Sequence, residues 1–97
     1  WVLVDQYSQP VGCTSVVKEW SDWNAGYYWW IQSLFIDPKH RGQGLLNVMM
    51  DAVVVDAKAD SCLEIRLYVH RDNSVAIRAY QKAEFQPSDY QLMSKKL

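Results

Sequence analysis

The strongest constraint on this chain is a change of hydrophobic period at one point. Tyr27 to Ile36 (YYWWIQSLFI) is aromatic and β-branched, the composition of a strand, and Asp37-Pro38 stops it. From Gly44 to Ala59 the apolar residues Leu46, Met49, Met50, Val53 and Ala57 recur at helical spacing, with Asn47, Asp51 and Lys58 on the other side. That is an amphipathic helix laid on a sheet. Between strand and helix stands DPKHRGQG, with glycines at 42 and 44. A glycine inside a helix costs roughly 0.5–1 kcal/mol relative to alanine, so exposed, flexible backbone must be useful at this turn.

The flanking segments extend the pattern. Trp1 to Asp5 and Val11 to Lys18 read as strands joined through Gln6–Gln9, a hairpin. Ser21 to Gly26 has turn chemistry. Leu63 to Val69 alternates Leu63, Ile65, Leu67 and Val69 against Glu64, Arg66 and Tyr68, a further strand. Asp72-Asn73-Ser74 supplies N-cap residues for a helix whose apolar face is Ala76, Ala79, Tyr80 and Ala83. Phe85 and then Tyr90 to Lys96 read as terminal strands around Pro87. The expected order is β-β-β-α-β-α-β-β. The fold class is α/β, an α+β mixed sheet with helices on its faces, in one domain spanning residues 1–97.

Bulk properties exclude some functions. A net charge of −1 offers no electrostatic basis for a nucleic-acid partner. No apolar run reaches membrane-spanning length, so no membrane partner is expected. Cys13 and Cys62 lack metal-ligand spacing and read as buried free thiols, no metal is expected, and the cytoplasm is the expected location. The chain opens inside a strand without an initiator methionine. Either residues before Trp1 were removed or left out, or this is a fragment of a longer protein.

A glycine turn that feeds a helix is an anion site, because the first helical N–H groups lack partners and the helix dipole is positive there. Lys39, His40 and Arg41 add charge. The stretch lacks GxxxxGK[ST] and GxGxxG, which sets aside the P-loop and the dinucleotide fold. What remains, Arg41-x-x-Gly44-x-Leu46 after Gln32-Ser33-Leu34-Phe35-Ile36, resembles the acyl-CoA motif [QR]-x-x-G-x-[GA] of the GNAT family of N-acetyltransferases. Arg66-Leu67-Tyr68-Val69 followed by Asn73, Ala76, Tyr80 and Phe85 resembles its second signature, and Tyr90-Gln91-Leu92-Met93 its last strand. Leu46 departs from the usual Gly or Ala, and Ala83-Glu84 from the usual glycine at the helix end. The family's N-terminal strand and paired helices, which help wall the acceptor site, have no counterpart here.

The resemblance implies direct acetyl transfer from acetyl-CoA to a primary amine of a small molecule or peptide. It places the pyrophosphate on the amides of Arg41, Gly42, Gln43, Gly44, Leu45 and Leu46. Pantetheine then runs along Leu34, Phe35 and Ile36, with Asn73 near the arm. Tyr80 becomes the general acid for the leaving thiolate, since a phenol of pKa about 10 holds its proton at neutral pH. Some family members carry a glutamate on the strand before the turn; Gln32 and Ser33 stand there instead. His70, Asp72, Glu19 and Asp22 read better as solvated surface groups. The aromatic cluster Trp20, Trp23, Tyr27, Tyr28, Trp29 and Trp30 divides between core packing and either an acceptor wall or a homodimer surface. A non-catalytic CoA-binding or regulatory module is the competing reading.

Overall fold

The computed structural model describes residues 1–97. The strands are β1 (Val2–Val4), β2 (Pro10–Ser21), β3 (Gly26–Ile36) and β4 (Glu64–Arg66), and the helices are α1 (Leu45–Ala59) and α2 (Ser74–Lys82). They form one mixed sheet in the order β1-β2-β3-β4, antiparallel except for the parallel pair β3–β4. The hairpin turn after β1 is tied by the Asp5 carboxylate, which accepts from the N–H groups of Tyr7 (2.8 Å) and Gln9 (3.0 Å).

The core lies where α1 crosses the sheet. Met49, Met50, Val53 and Ala57 are buried against Trp29, and Leu34, Ile36, Leu46 and Ile65 pack around them. The helix face read from the sequence is therefore the face that is buried. On β3 the inward residues are Trp29 and Ile31, then Leu34 and Ile36, a switch from odd to even positions. A bulge causes it. Ser15 of β2 pairs with Ser33 and the next residue, Val16, pairs with Ile31, leaving Gln32 as the extra residue. Without that insertion, strict alternation would turn Leu34 and Ile36 away from α1. Thr14 stabilises the site: its buried hydroxyl donates to the Ser33 carbonyl at 2.8 Å.

Several expectations require correction. Phe85 and Tyr90–Lys96 form no strands; everything after α2 is irregular. Tyr90, Leu92 and Met93 are exposed, since no neighbouring strand offers them a ladder. The strand expected over Leu63–Val69 shrinks to Glu64–Arg66, because β3 has room beside it for only the pairs Tyr28–Glu64, Trp29–Ile65 and Trp30–Arg66. The burial is one-sided. Of the two helices only α1 contains buried residues, and Ala83 and Phe85, just past α2, pack against the same cluster. Val2, Val17 and Phe35 on the opposite face are exposed. Cys13, which pairs with Val2 and Phe35 there, is exposed and not buried; Cys62 is half-buried, and both are free thiols.

Candidate functional site

The turn after β3 is built in steps. Pro38–His40 makes a short 3₁₀ turn, capped by the Asp37 carboxylate accepting from the Lys39 N–H at 2.9 Å. Arg41 then folds back, and its Nε donates to the Ile36 carbonyl at 2.8 Å. Gly42 and Gly44 both adopt left-handed backbone, with φ of 79° and 73°. A Cβ at either would meet nothing within 4 Å, so glycine is required for its conformation while the space above it stays open. Gly44 is the N-cap of α1 and provides no side-chain cap.

The consequence is a line of idle donors. The N–H groups of Gly42, Gln43, Gly44, Leu45, Leu46 and Asn47 have no acceptor in the protein; the first bond into the helix is Val48 N–H to the Gly44 carbonyl. They lie at the positive end of a helix of 15 residues. Leu46 packs against the core cluster, so its side chain is committed to the sheet side of α1. Nearby, the Nδ1 of His40 is buried without a partner.

A second opening adjoins the first. β3 continues to Ile36, while its last pair with β4 is Trp30–Arg66. Leu34, Phe35 and Ile36 pair with Thr14, Cys13 and Gly12 of β2 on one side and with no strand on the other. The strands therefore part just before the Gln32 bulge, and the free edge of β3 leads to the glycine turn.

Tyr80 and Asn73 belong to α2. The Asn73 side chain accepts from the Ala76 N–H at 3.2 Å, the capping role that its position indicated. Tyr80 is half-buried, its ring edge-on to Phe85 with centroids 5.9 Å apart. Its hydroxyl makes no hydrogen bond within the protein, and burial pushes its pKa up, so it keeps its proton at neutral pH. The carboxylates weighed as bases are engaged at the surface: Asp22 accepts from Trp20 Nε1 and Glu19 from Trp30 Nε1. His70 and Asp72 are exposed, and their side chains lie 3.8 Å apart.

The aromatic cluster divides as expected in part. Trp29 is buried in the core; Tyr28 and Trp30 are half-buried; Trp20, Trp23 and Tyr27 are exposed. Trp30 stacks on Tyr68 at 4.6 Å, directly where the strands part. Sequence reasoning missed the bulge, although the parity switch from Trp29 and Ile31 to Leu34 and Ile36 was there to be read. It also passed over Arg66, whose guanidinium lies 3.6 Å above the Tyr28 ring.

A sheet opening along one edge toward a helix start with idle amides suits a protein that holds an extended ligand with an anionic end. The chain belongs to the acetyltransferase (GNAT) family, whose model matches residues 1–85. An acetyltransferase from Sodalis glossinidius is 32% identical over 69 residues, covering 71% of this chain and 45% of that protein. The spermine/spermidine N(1)-acetyltransferase of Bacillus subtilis is 36% identical over 58 residues, covering 59% of this chain and 38% of its own. The structure of a possible acetyltransferase from Clostridium difficile 630 superposes with a TM-score of 0.82 at 27% identity, covering 94% of this chain and 60% of that one. The chain spans less than half the length of the curated relatives it matches. Among its own features, no helix is long and apolar enough to cross a membrane, and no group of three or more His, Cys, Asp or Glu side chains is placed to hold a metal ion.

Proposed function

We propose that this chain is a single acetyltransferase domain that binds acetyl-CoA and transfers its acetyl group directly to a primary amine. The observation that carries the reading is the run of unpartnered amides from Gly42 to Asn47, held open by left-handed glycines at the end of a strand with a free edge. The pyrophosphate would accept from these amides, with Lys39 and the free Nη groups of Arg41 contributing positive charge. The amide-like groups of pantetheine would add to the free edge of Leu34, Phe35 and Ile36, as a strand would. The thioester would then reach the point where β3 and β4 part.

The chemistry asks little of the side chains. A neutral amine attacks the thioester carbonyl; the C–N bond forms, the C–S bond breaks, and the amine's surplus proton leaves to water. A backbone N–H of β3 near the bulge would stabilise the oxyanion. Tyr80 would donate its proton to the departing thiolate and regain one from water. From ordinary values of about 10 for a phenol and 8.5 for a thiol, complete transfer is uphill by about 2 kcal/mol. Hydrogen bonding to the developing charge is therefore the larger part of its contribution.

One observation favours a non-catalytic CoA-binding module as the second reading: Gln32 and Ser33 supply no carboxylate next to the opening. The amines in the names of similar proteins, a polyamine, an amino-sugar phosphate and a protein alanine, give a panel that separates the two readings. CoA affinity and acetyl transfer are measured on one preparation. Micromolar binding with turnover of any amine supports the enzyme, binding without turnover supports the module, and absence of CoA binding removes both.

A further inference from the structure

On the sheet face away from α1, between the β2–β3 turn and the paired segment of β3 and β4, lies a cavity of about 440 Å³. It is lined by Ser21, Trp23, Asn24, Tyr28, Arg66 and Tyr90. Arg66 is its sole charged group. The guanidinium carbon lies 3.6 Å from the centre of the Tyr28 ring, with the Tyr90 and Trp30 rings at 5.5 and 5.8 Å. Only its Nε is engaged, donating to Glu64 Oε2 at 2.6 Å; neither Nη makes a hydrogen bond. Burial works against its charge, but the hydrogen bond and charge of Glu64, with smaller contributions from Tyr28 and Glu19, more than offset this and hold it cationic.

The polar lining points the same way. Asn24 Nδ2 donates to the Tyr28 hydroxyl at 2.7 Å, which leaves the phenolic proton free to be given to a ligand. The free groups of highest donor strength are thus the two Nη groups and one phenol, beside aromatic surfaces. An Arg fork with its outer edge unspent matches a carboxylate or phosphate. Glu64 and Glu19 lie outside the lining; Glu64 steadies the guanidinium, and Glu19 accepts from Trp30 Nε1. Position adds the link to catalysis. Arg66 ends β4 opposite Trp30, and its guanidinium lies over Tyr28, four residues or about 13 Å along β3 from Gln32 at 3.3 Å per residue.

We infer that this cavity seats an anionic group of the acceptor, a carboxylate or phosphate gripped by Arg66, so that the acceptor is an amine bearing an anion and not a polycation. The inference rests on the acetyltransferase reading above for the identity of the ligand as an acceptor. An anion seated on Arg66 directs an amine farther along the same molecule toward the opening where the thioester would lie. The aromatic lining favours acceptors with a flat or apolar body beside the anion.

Matched pairs of amines test it: amino acids against their amides, an amino-sugar phosphate against the amino sugar, and a polyamine. The expected result is a kcat/KM roughly 10- to 100-fold higher for the anionic member, expressed mainly in KM. The carboxylate and phosphate pairs show which anion is used. Arg66→Gln should collapse the anionic-to-neutral ratio towards one, and Arg66→Lys, which keeps charge without the fork, should fall between. Should Arg66→Gln fail to fold by circular dichroism, the Lys variant decides. A neutral amine or polyamine preferred by the unaltered protein, or a ratio untouched by both variants, overturns the inference while leaving acetyl transfer intact. If no amine is acetylated, the acetyltransferase reading fails separately. The cavity is then judged by tryptophan fluorescence with an N-acetyl amino acid and its amide: selective binding of the acid, weakened about tenfold in the variants, supports the anion site, and equal or absent binding overturns it.

Discussion

Gly44→Ala separates the proposed cradle from an ordinary helix start by the sign of its effect. Gly44 sits at φ 73°, ψ 15°, and the added methyl would touch nothing within 4 Å. Steric clash therefore contributes nothing, and the cost is conformational. A non-glycine residue in left-handed backbone costs about 1–2 kcal/mol, and the stiffer unfolded chain returns about 0.4–1 kcal/mol. The net loss is about 1 kcal/mol, which for a chain of 97 residues lowers Tm by about 4–8 °C. Gly44→Asn should lose less, since asparagine visits this region more readily. Thermal unfolding at 222 nm, checked by urea midpoints at constant m-value, reads both. If residue 44 were instead inside a regular helix, alanine would stabilise by about 0.5–1 kcal/mol. An increase in Tm for Gly44→Ala would refute the left-handed turn and the idle amides that follow from it.

Other consequences are open to direct measurement. Tyr80→Phe should lower kcat about 10- to 100-fold while leaving CoA affinity within about twofold, tested by steady-state kinetics and calorimetry. Because burial raises the folded-state pKa of Tyr80 above 10.0, the folded protein holds that proton longer than the unfolded chain. The stability this contributes is present below about pH 10 and is lost as pH rises through the folded value, so the urea midpoint should fall more steeply above pH 10 in the unaltered protein than in Tyr80→Phe. Thr14→Val removes the 2.8 Å bond to the Ser33 carbonyl and should cost about 1–2 kcal/mol by urea unfolding, with Gln32 the first amide to gain hydrogen exchange. Val53 is 0% exposed at the centre of the core, and Val53→Ala should cost about 2 kcal/mol, seen as a shifted urea midpoint.

The passage from β3 through the glycine turn to α1 was legible because each part carries its own local signal. Aromatic and β-branched residues mark the strand, Asp37-Pro38 the stop, and Leu46, Met49, Met50, Val53 and Ala57 the helical period. Local capping was equally legible at Asn73, where the side chain does what its type suggests. What failed depended on distant partners. Leu63–Val69 alternates like a strand, yet β4 ends at Arg66 because β3 diverges from it. Tyr90–Lys96 has strand composition and no edge to join. Cys13 read as a buried thiol because it lacks metal-ligand spacing and free cysteines are usually buried, but it lies on the face that α1 leaves uncovered. Arg66 was read only as part of a signature, since neither its stacking on Tyr28 nor its unspent Nη groups can be inferred from spacing.

The central claim is that the backbone from Gly42 to Asn47 receives the CoA pyrophosphate. Nitrogen-15 amide spectra recorded during titration with CoA, and separately with phosphate-free pantetheine, address it most directly. The account predicts that the amides of Gly42, Gly44, Leu45 and Leu46 shift strongly with CoA and remain in place with pantetheine, which should move Leu34, Phe35 and Ile36 alone. CoA binding that leaves Gly42 to Asn47 unshifted would contradict it.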